Sequence, residues 1–146
     1  MIVRSLLVPV AVLWLAAPAW SQSDAAAQAA KEPGAQVSAS GLVFRSLKEG
    51  SGPSPQATDK VRVHYRGTFP DGKEFDSSYA RGQPAEFPLD RVIKCWTEGV
   101  QRIKVGGKAK LTCPAAIAYG ERGAGGVIPP GATLQFEVEL LGIVGR

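Results

Sequence analysis

The sequence predicts an α+β domain: an antiparallel β-sheet with one short α-helix lying across it. Two stretches alternate apolar with polar residues, Val61-Arg62-Val63-His64-Tyr65-Arg66 and Leu134-Gln135-Phe136-Glu137-Val138-Glu139-Leu140. Such period-two alternation marks half-buried antiparallel strands. One stretch repeats at helical spacing instead, through Val92, Trp96, Val100 and Ile103. That stripe predicts a helix, with Asp90 placed to cap its start. A helix with a single apolar face beside a sheet must bury that face against the sheet.

The N-terminus comes first in the chain. Met1 to Arg4 carries one basic side chain, Ser5 to Ala17 is nearly all apolar, and small residues follow in Ala17-Pro18-Ala19 and Ala19-Trp20-Ser21. This is the pattern of a secretory signal peptide over residues 1–21, cut after Ala19 or Ser21. The apolar run is interrupted by Pro9 and is shorter than the ~20 residues that a spanning helix needs. No cysteine follows it, so lipidation there is excluded. Residues 22–40 contain Val37 as their only large apolar residue, and Pro33-Gly34 interrupts their Ala-rich part. Such a stretch buries too little surface to fold alone and is expected to be a flexible tether. Residues 41–146 have the size of one compact domain.

Within that domain Lys108 to Cys113 alternates through Ala109, Leu111 and Cys113, and Leu42 to Leu47 is a weaker strand candidate. Pro70-Asp71-Gly72-Lys73 has the chemistry of a turn between strands. From Pro114 to Gly131 runs a long segment with five glycines and Val127-Ile128-Pro129-Pro130. Loops of that length in a compact domain are usually functional.

Charge excludes one class of function. The 17 Lys and Arg against 13 Asp and Glu give +4, and removal of the leader takes away only Arg4. The basic residues are spread along the chain, and even Arg102, Lys104, Lys108 and Lys110 are interleaved with apolar and glycine positions, so no nucleic-acid footprint forms. Conventional catalytic groups are also missing. The single histidine, His64, sits on the polar side of a strand, where a solvated side chain is expected rather than a catalyst. There is no Cys/His spacing for a metal, no Gly-x-Ser-x-Gly elbow and no phosphate-binding loop. Any chemistry here is expected to need neither metal nor cofactor.

Aromatic and branched residues gather instead around turns and the helix start: Tyr65, Phe75, Phe87, Val92, Ile93, Trp96, Tyr119, Ile128 and Phe136. Five motifs accompany them: Val63-His64-Tyr65-Arg66-Gly67; Asp71-Gly72-Lys73-Glu74-Phe75-Asp76-Ser77-Ser78; Val92-Ile93 with Trp96-Thr97-Glu98-Gly99; Ala118-Tyr119-Gly120; and Val127-Ile128-Pro129-Pro130 before Ala132-Thr133-Leu134. In order and spacing, over about residues 41–143, these resemble the FKBP-type peptidyl-prolyl cis-trans isomerases. The resemblance implies a strongly bent antiparallel sheet wrapped around one short helix, with an apolar pocket between them. It implies Trp96 as the pocket floor, Tyr65, Phe75, Phe87, Val92, Ile93 and Phe136 as walls, and Tyr119, Val127 and Ile128 from the long loop. The Ile93 N–H and the Tyr119 hydroxyl would donate to ligand carbonyls, and Asp76 would be the polar acceptor at the edge. Ala85 and Ala124 depart from the family, which commonly has an aromatic at the first and a larger residue at the second.

Several of these residues have a plainer role as well. Trp96, Val100 and Phe136 would be core residues in any fold with this pattern, and Asp76 before Ser77-Ser78 could cap a turn. For Cys95 and Cys113 two readings stand, a disulfide in an exported domain or two buried reduced thiols. The resemblance and the leader imply an isomerase of X-Pro bonds in unfolded or partly folded exported polypeptides, periplasmic, monomeric, inhibited by macrolides of the FKBP class, and off the membrane after cleavage. Two other classes of function compete: a holdase that binds extended Pro-containing segments without turnover, and an interaction domain with a vestigial pocket.

Overall fold

The computed structural model describes residues 22–145 of the 146; the leader expected over residues 1–21 lies outside the described residues. The elements run α1 (Gln22–Ala30), β1 (Gln36–Val37), β2 (Val43–Lys48), β3 (Lys60–Thr68), β4 (Glu74–Ser77), α2 (Ser78–Arg81), β5 (Ala85–Pro88), α3 (Lys94–Val100), β6 (Lys108–Cys113) and β7 (Leu134–Ile143). The strands form one antiparallel sheet in the order β1-β2-β6-β7-β3-β4, with β5 also pairing β3. β3 thus splits its outer edge, Lys60 to Val63 going to β5 and Arg66 to Thr68 to β4. Register shifts at Ser46/Lys48, Arg62/Val63 and Gly67/Thr68 mark irregularities of the bulge kind, which bend a strand and increase its twist. The sheet curls toward α3.

The alternation in the sequence is realised. Val61, Val63 and Tyr65 from β3 and Leu134, Phe136, Val138 and Leu140 from β7 all point into the core. Trp96 and Val100 of α3 meet them from the other side, in one contiguous cluster. At Gly99 helix and sheet approach closely: a Cβ there would lie 2.8 and 2.9 Å from the two methyls of Leu111 on β6. Cys95 of α3 and Cys113 at the end of β6, both fully buried, are joined by a disulfide with Cα atoms 5.8 Å apart.

Two expectations need correction. The helix is shorter than its stripe, and Asp90 does not cap it. Val92 is extended (φ −114°, ψ 175°), Ile93 is the N-cap, and Asp90 lies in a separate single 3₁₀ turn, Leu89–Arg91. Leu89, fully buried, anchors that turn: its N–H donates to the Asp59 carbonyl at 2.9 Å, and its carbonyl accepts from the Thr97 hydroxyl at 2.5 Å. Val92 and Ile103 keep the apolar stripe but flank the helix, because periodicity records which residues face the core and not where the backbone hydrogen bonds stop.

The second correction concerns residues 22–40, expected as a flexible tether. In the structure they lie against the domain. Ala25 and Ala29 of α1 are buried, and β1 pairs with β2, covering the sheet edge. Glu32 spans two strands, accepting from Lys110 Nζ at 2.8 Å and Arg45 Nη1 at 2.7 Å. The Lys110 hydrogen bond leads in holding the Glu32 carboxyl below the usual carboxylate range, against an opposing effect of burial and with help from Arg45. Ser40 donates to Glu98 Oε2 at 2.6 Å, linking the segment to α3. Counting large apolar residues missed this docking, since alanine methyls let a helix approach closely and the remaining contacts are polar.

Candidate functional site

The site grows from the elements that curl around α3. β3 supplies Tyr65, β4 supplies Phe75 and Asp76, β5 supplies Phe87, and β7 supplies Phe136. The 3₁₀ turn and the extended segment after it supply Arg91, Val92 and Ile93, α3 supplies Trp96, and the long loop supplies Tyr119. Together these ten residues line one cavity of about 490 Å³.

Trp96 is its floor. The indole is 4% exposed and stands nearly perpendicular to three rings: Tyr65 (5.2 Å between centroids, 84°), Phe87 (5.5 Å, 87°) and Phe136 (5.4 Å, 88°). Edge-to-face packing of this kind is favoured by the aromatic quadrupole, by about 0.5–1.5 kcal/mol per pair beyond burial. Phe75 continues the wall against Phe136 at 5.7 Å. Gly67 makes room for both, since a Cβ there would meet the Phe75 ring at 2.6 Å and the Phe136 ring at 3.0 Å. The Trp96 Nε1–H is buried and finds no hydrogen-bond partner among the described residues.

One polar cluster holds the edge of the cavity. The Tyr65 hydroxyl donates to Asp76 Oδ2 at 2.5 Å and accepts from Arg81 Nη2 at 2.9 Å, while Arg81 Nη1 donates to Asp76 Oδ1 at 2.5 Å. Burial works to raise the Asp76 carboxyl, but the hydrogen bonds from Tyr65 and Arg81 outweigh it, so its pKa lies below the usual value. Burial, then the bond to Asp76, pushes the Tyr65 phenol above its usual value. The cluster therefore holds an anion, a cation and a neutral phenol in fixed geometry.

Arg81 was not among the sequence candidates. Its position follows from α2, a single helical turn capped by Ser77, whose side chain accepts from Ala80 N–H, and closed by Gly82 at φ +74°. That turn folds Arg81 back over Asp76, five residues earlier. The visible signal was Ser77 followed by Arg81-Gly82, a cap and a stop around one turn.

The structure brings together Tyr65, Phe75, Asp76, Phe87, Val92, Ile93, Trp96, Tyr119 and Phe136, and separates two others from them. Val127 (56% exposed) and Ile128 line a neighbouring cavity of about 640 Å³ with Phe69, Lys73, Arg122 and Pro129. Phe69 of that cavity and Phe75 of the Trp96 cavity have ring centroids 5.0 Å apart. The outline of the Trp96 cavity therefore leaves out Val127 and Ile128, although Ile128 belongs to the same buried cluster as Trp96 and Phe136. The loop turns after Gly120, and hydrogen bonds between Ala124 and Ile128 fold it into a small bridged turn of its own. His64, expected in solvent, is half-buried: its Nδ1 is 2.9 Å from the Ser78 hydroxyl, and its ring stacks on Tyr79.

Besides the buried Trp96 Nε1–H, two donors in the Trp96 cavity remain unused. The Ile93 N–H at the helix start has no backbone acceptor among the described residues, and the Tyr119 hydroxyl makes no hydrogen bond there. No cluster of three His, Cys, Asp or Glu side chains among the described residues could hold a metal.

An antiparallel sheet curled around a single short helix, with an aromatic cavity where they meet, defines the FKBP class of fold. Residues 52–141 match the FKBP-type peptidyl-prolyl cis-trans isomerase family, and the chain belongs to that family. It is 55% identical over 115 residues to the FKBP-type 22 kDa peptidyl-prolyl cis-trans isomerase of Escherichia coli, covering 79% of this chain and 56% of that one. It is 53% identical over 114 residues to FkpA of the same organism, covering 78% and 42%. The chain thus spans about half the length of the curated relatives it matches. Among solved structures it superposes on E. coli FkpA with a TM-score of 0.81 at 48% identity, covering 84% of this chain and 57% of that one. A peptidyl-prolyl isomerase from Pseudomonas syringae gives 0.79 at 40% identity, covering 85% and 91%.

Proposed function

We propose that the protein accelerates rotation about X-Pro peptide bonds in exported polypeptides, using the Trp96 cavity as the site. The observation that carries this reading is the cavity itself: a floor and walls of aromatic rings with two unused hydrogen-bond donors, the Ile93 N–H and the Tyr119 hydroxyl.

Rotation of the X-Pro bond breaks amide resonance against a barrier of ~20 kcal/mol and takes tens to hundreds of seconds unaided. The twisted amide separates less charge than the planar one, because oxygen and nitrogen no longer share electron density. An apolar enclosure therefore favours the transition state over the ground state, which is differential binding without acid or base. The proline ring sits against Trp96, the two free donors hold flanking carbonyls, and the Tyr65–Asp76–Arg81 cluster fixes the wall beside it. Each ~1.4 kcal/mol gained in this way is tenfold in rate. The leader pattern over residues 1–21 supports a periplasmic site of action on unfolded or partly folded chains. Macrolide inhibitors of the family occupy the same cavity in this reading, and the protein acts as a monomer.

The test is isomerisation of a chromogenic peptide with a bulky apolar residue before proline, with and without a macrolide. Acceleration abolished by the macrolide is expected. A variant carrying Phe75→Ala and Asp76→Val together should lose most of the turnover while remaining folded by circular dichroism; undiminished turnover would sink the mechanism. Peptide binding without acceleration would transfer the reading to a holdase.

A further inference from the structure

Among the described residues, two charged ones line the Trp96 cavity, Asp76 and Arg91. Asp76 is already matched by Arg81. Arg91 is exposed, and its side chain has no ion pair or hydrogen bond among the described residues. Its backbone is held nonetheless: the turn Leu89–Arg91 is anchored by buried Leu89, through the Asp59 carbonyl and the Thr97 hydroxyl, and Val92 leaves it extended as part of the cavity wall. A firmly placed backbone thus holds one uncompensated cation beside a largely aromatic cavity whose other charged residue, Asp76, is already matched. Guanidinium groups recognise carboxylates by paired N–H donors in a planar fork.

We infer that Arg91 is a specificity-determining residue that favours polypeptides carrying a carboxylate side chain adjacent to the proline and disfavours those carrying an ammonium there. The inference rests on the reading that the cavity takes X-Pro segments. An exposed ion pair contributes modestly, about two- to fivefold in affinity, and like charges oppose by a similar factor. The attraction is screened by salt and acts on the rate of encounter as well as on affinity.

Three peptides differing only in Glu, Gln or Lys before proline separate the possibilities, each measured for binding by fluorescence anisotropy and for turnover, in about 20 mM and about 500 mM salt. For the wild-type protein the Glu peptide is expected to bind about four- to twenty-fivefold more tightly than the Lys peptide at low salt, a ratio that shrinks at high salt. Arg91→Lys should keep the preference and Arg91→Glu should reverse it. A ratio unchanged in Arg91→Glu would overturn the inference, as would equal weakening of all three peptides, which would mark a contact to the peptide backbone instead. Turnover of the Gln peptide tests the isomerase reading separately: charge-dependent binding without turnover leaves this inference standing and ends that one. No binding of any peptide ends both.

Discussion

At Asp76, donors from two different elements meet one carboxylate, and the consequence for stability can be worked out by sign. Its folded-state pKa is depressed, so the stabilisation is present above the unfolded value of about 4 and disappears as pH falls through the lower folded value. Since the Asp76 side chain is 40% exposed, solvent screening holds the contribution to about 0.5–1 kcal/mol. Asp76→Asn should lower stability by that amount at pH 7, and the gap to wild type should narrow as pH falls through the depressed folded pKa of Asp76, in urea denaturation over an acid pH series. A gap that persists in acid would mean that the substituted amide disturbs packing and that the ion pair contributes nothing. Asp76 itself was legible as a candidate because an Asp just after an apolar Phe75 is not what packing asks for. Arg81 was not, because its partnership depends on the single turn of α2 folding back.

The element that sequence reasoning undervalued is α1 with β1. Its buried surface is small, Ala25 and Ala29, but Glu32 adds two cations from neighbouring strands and β1 covers the open edge of β2. Ala29→Glu places a charge where a methyl is 4% exposed, and should release the segment. Faster amide exchange is expected in Gln36–Val37 and Val43–Lys48, with β3 and β7 unchanged; if those amides keep their protection, the docking does not depend on α1. The shortened α3 carries the complementary lesson. Its stripe identified the buried side chains, yet the extended backbone at Val92 turned part of the expected helix into cavity wall and left the Ile93 N–H without an acceptor.

Across the whole molecule, the Cys95–Cys113 link ties the one central helix to the sheet it covers, across a separation of 18 residues. Closing a loop of that size stabilises by roughly 3 kcal/mol in the chain-entropy account. The paired substitution Cys95→Ala with Cys113→Ala should reduce unfolding free energy by about that much in guanidinium titration, with added loss from the two vacated core positions. A loss under about 1 kcal/mol would show that the folded sheet and helix hold these positions together without the bond.

Alternation in β3, β6 and β7 and the apolar stripe through Trp96 and Val100 were determined by the sequence alone, since side-chain period follows directly from backbone geometry. Most of the aromatic cavity was legible as well, because its residues, Phe87 aside, stand in or close to motifs of recognisable order. Local pattern cannot say which of two adjacent cavities a loop residue lines, and the bridged Ala124–Ile128 turn is what sets Val127 and Ile128 along the neighbouring one. Arg81 and Arg91 belong to the same category. Their roles depend on what stands across from them in space, one opposite a carboxylate and the other opposite nothing, and only tertiary structure brings together residues that the chain keeps apart.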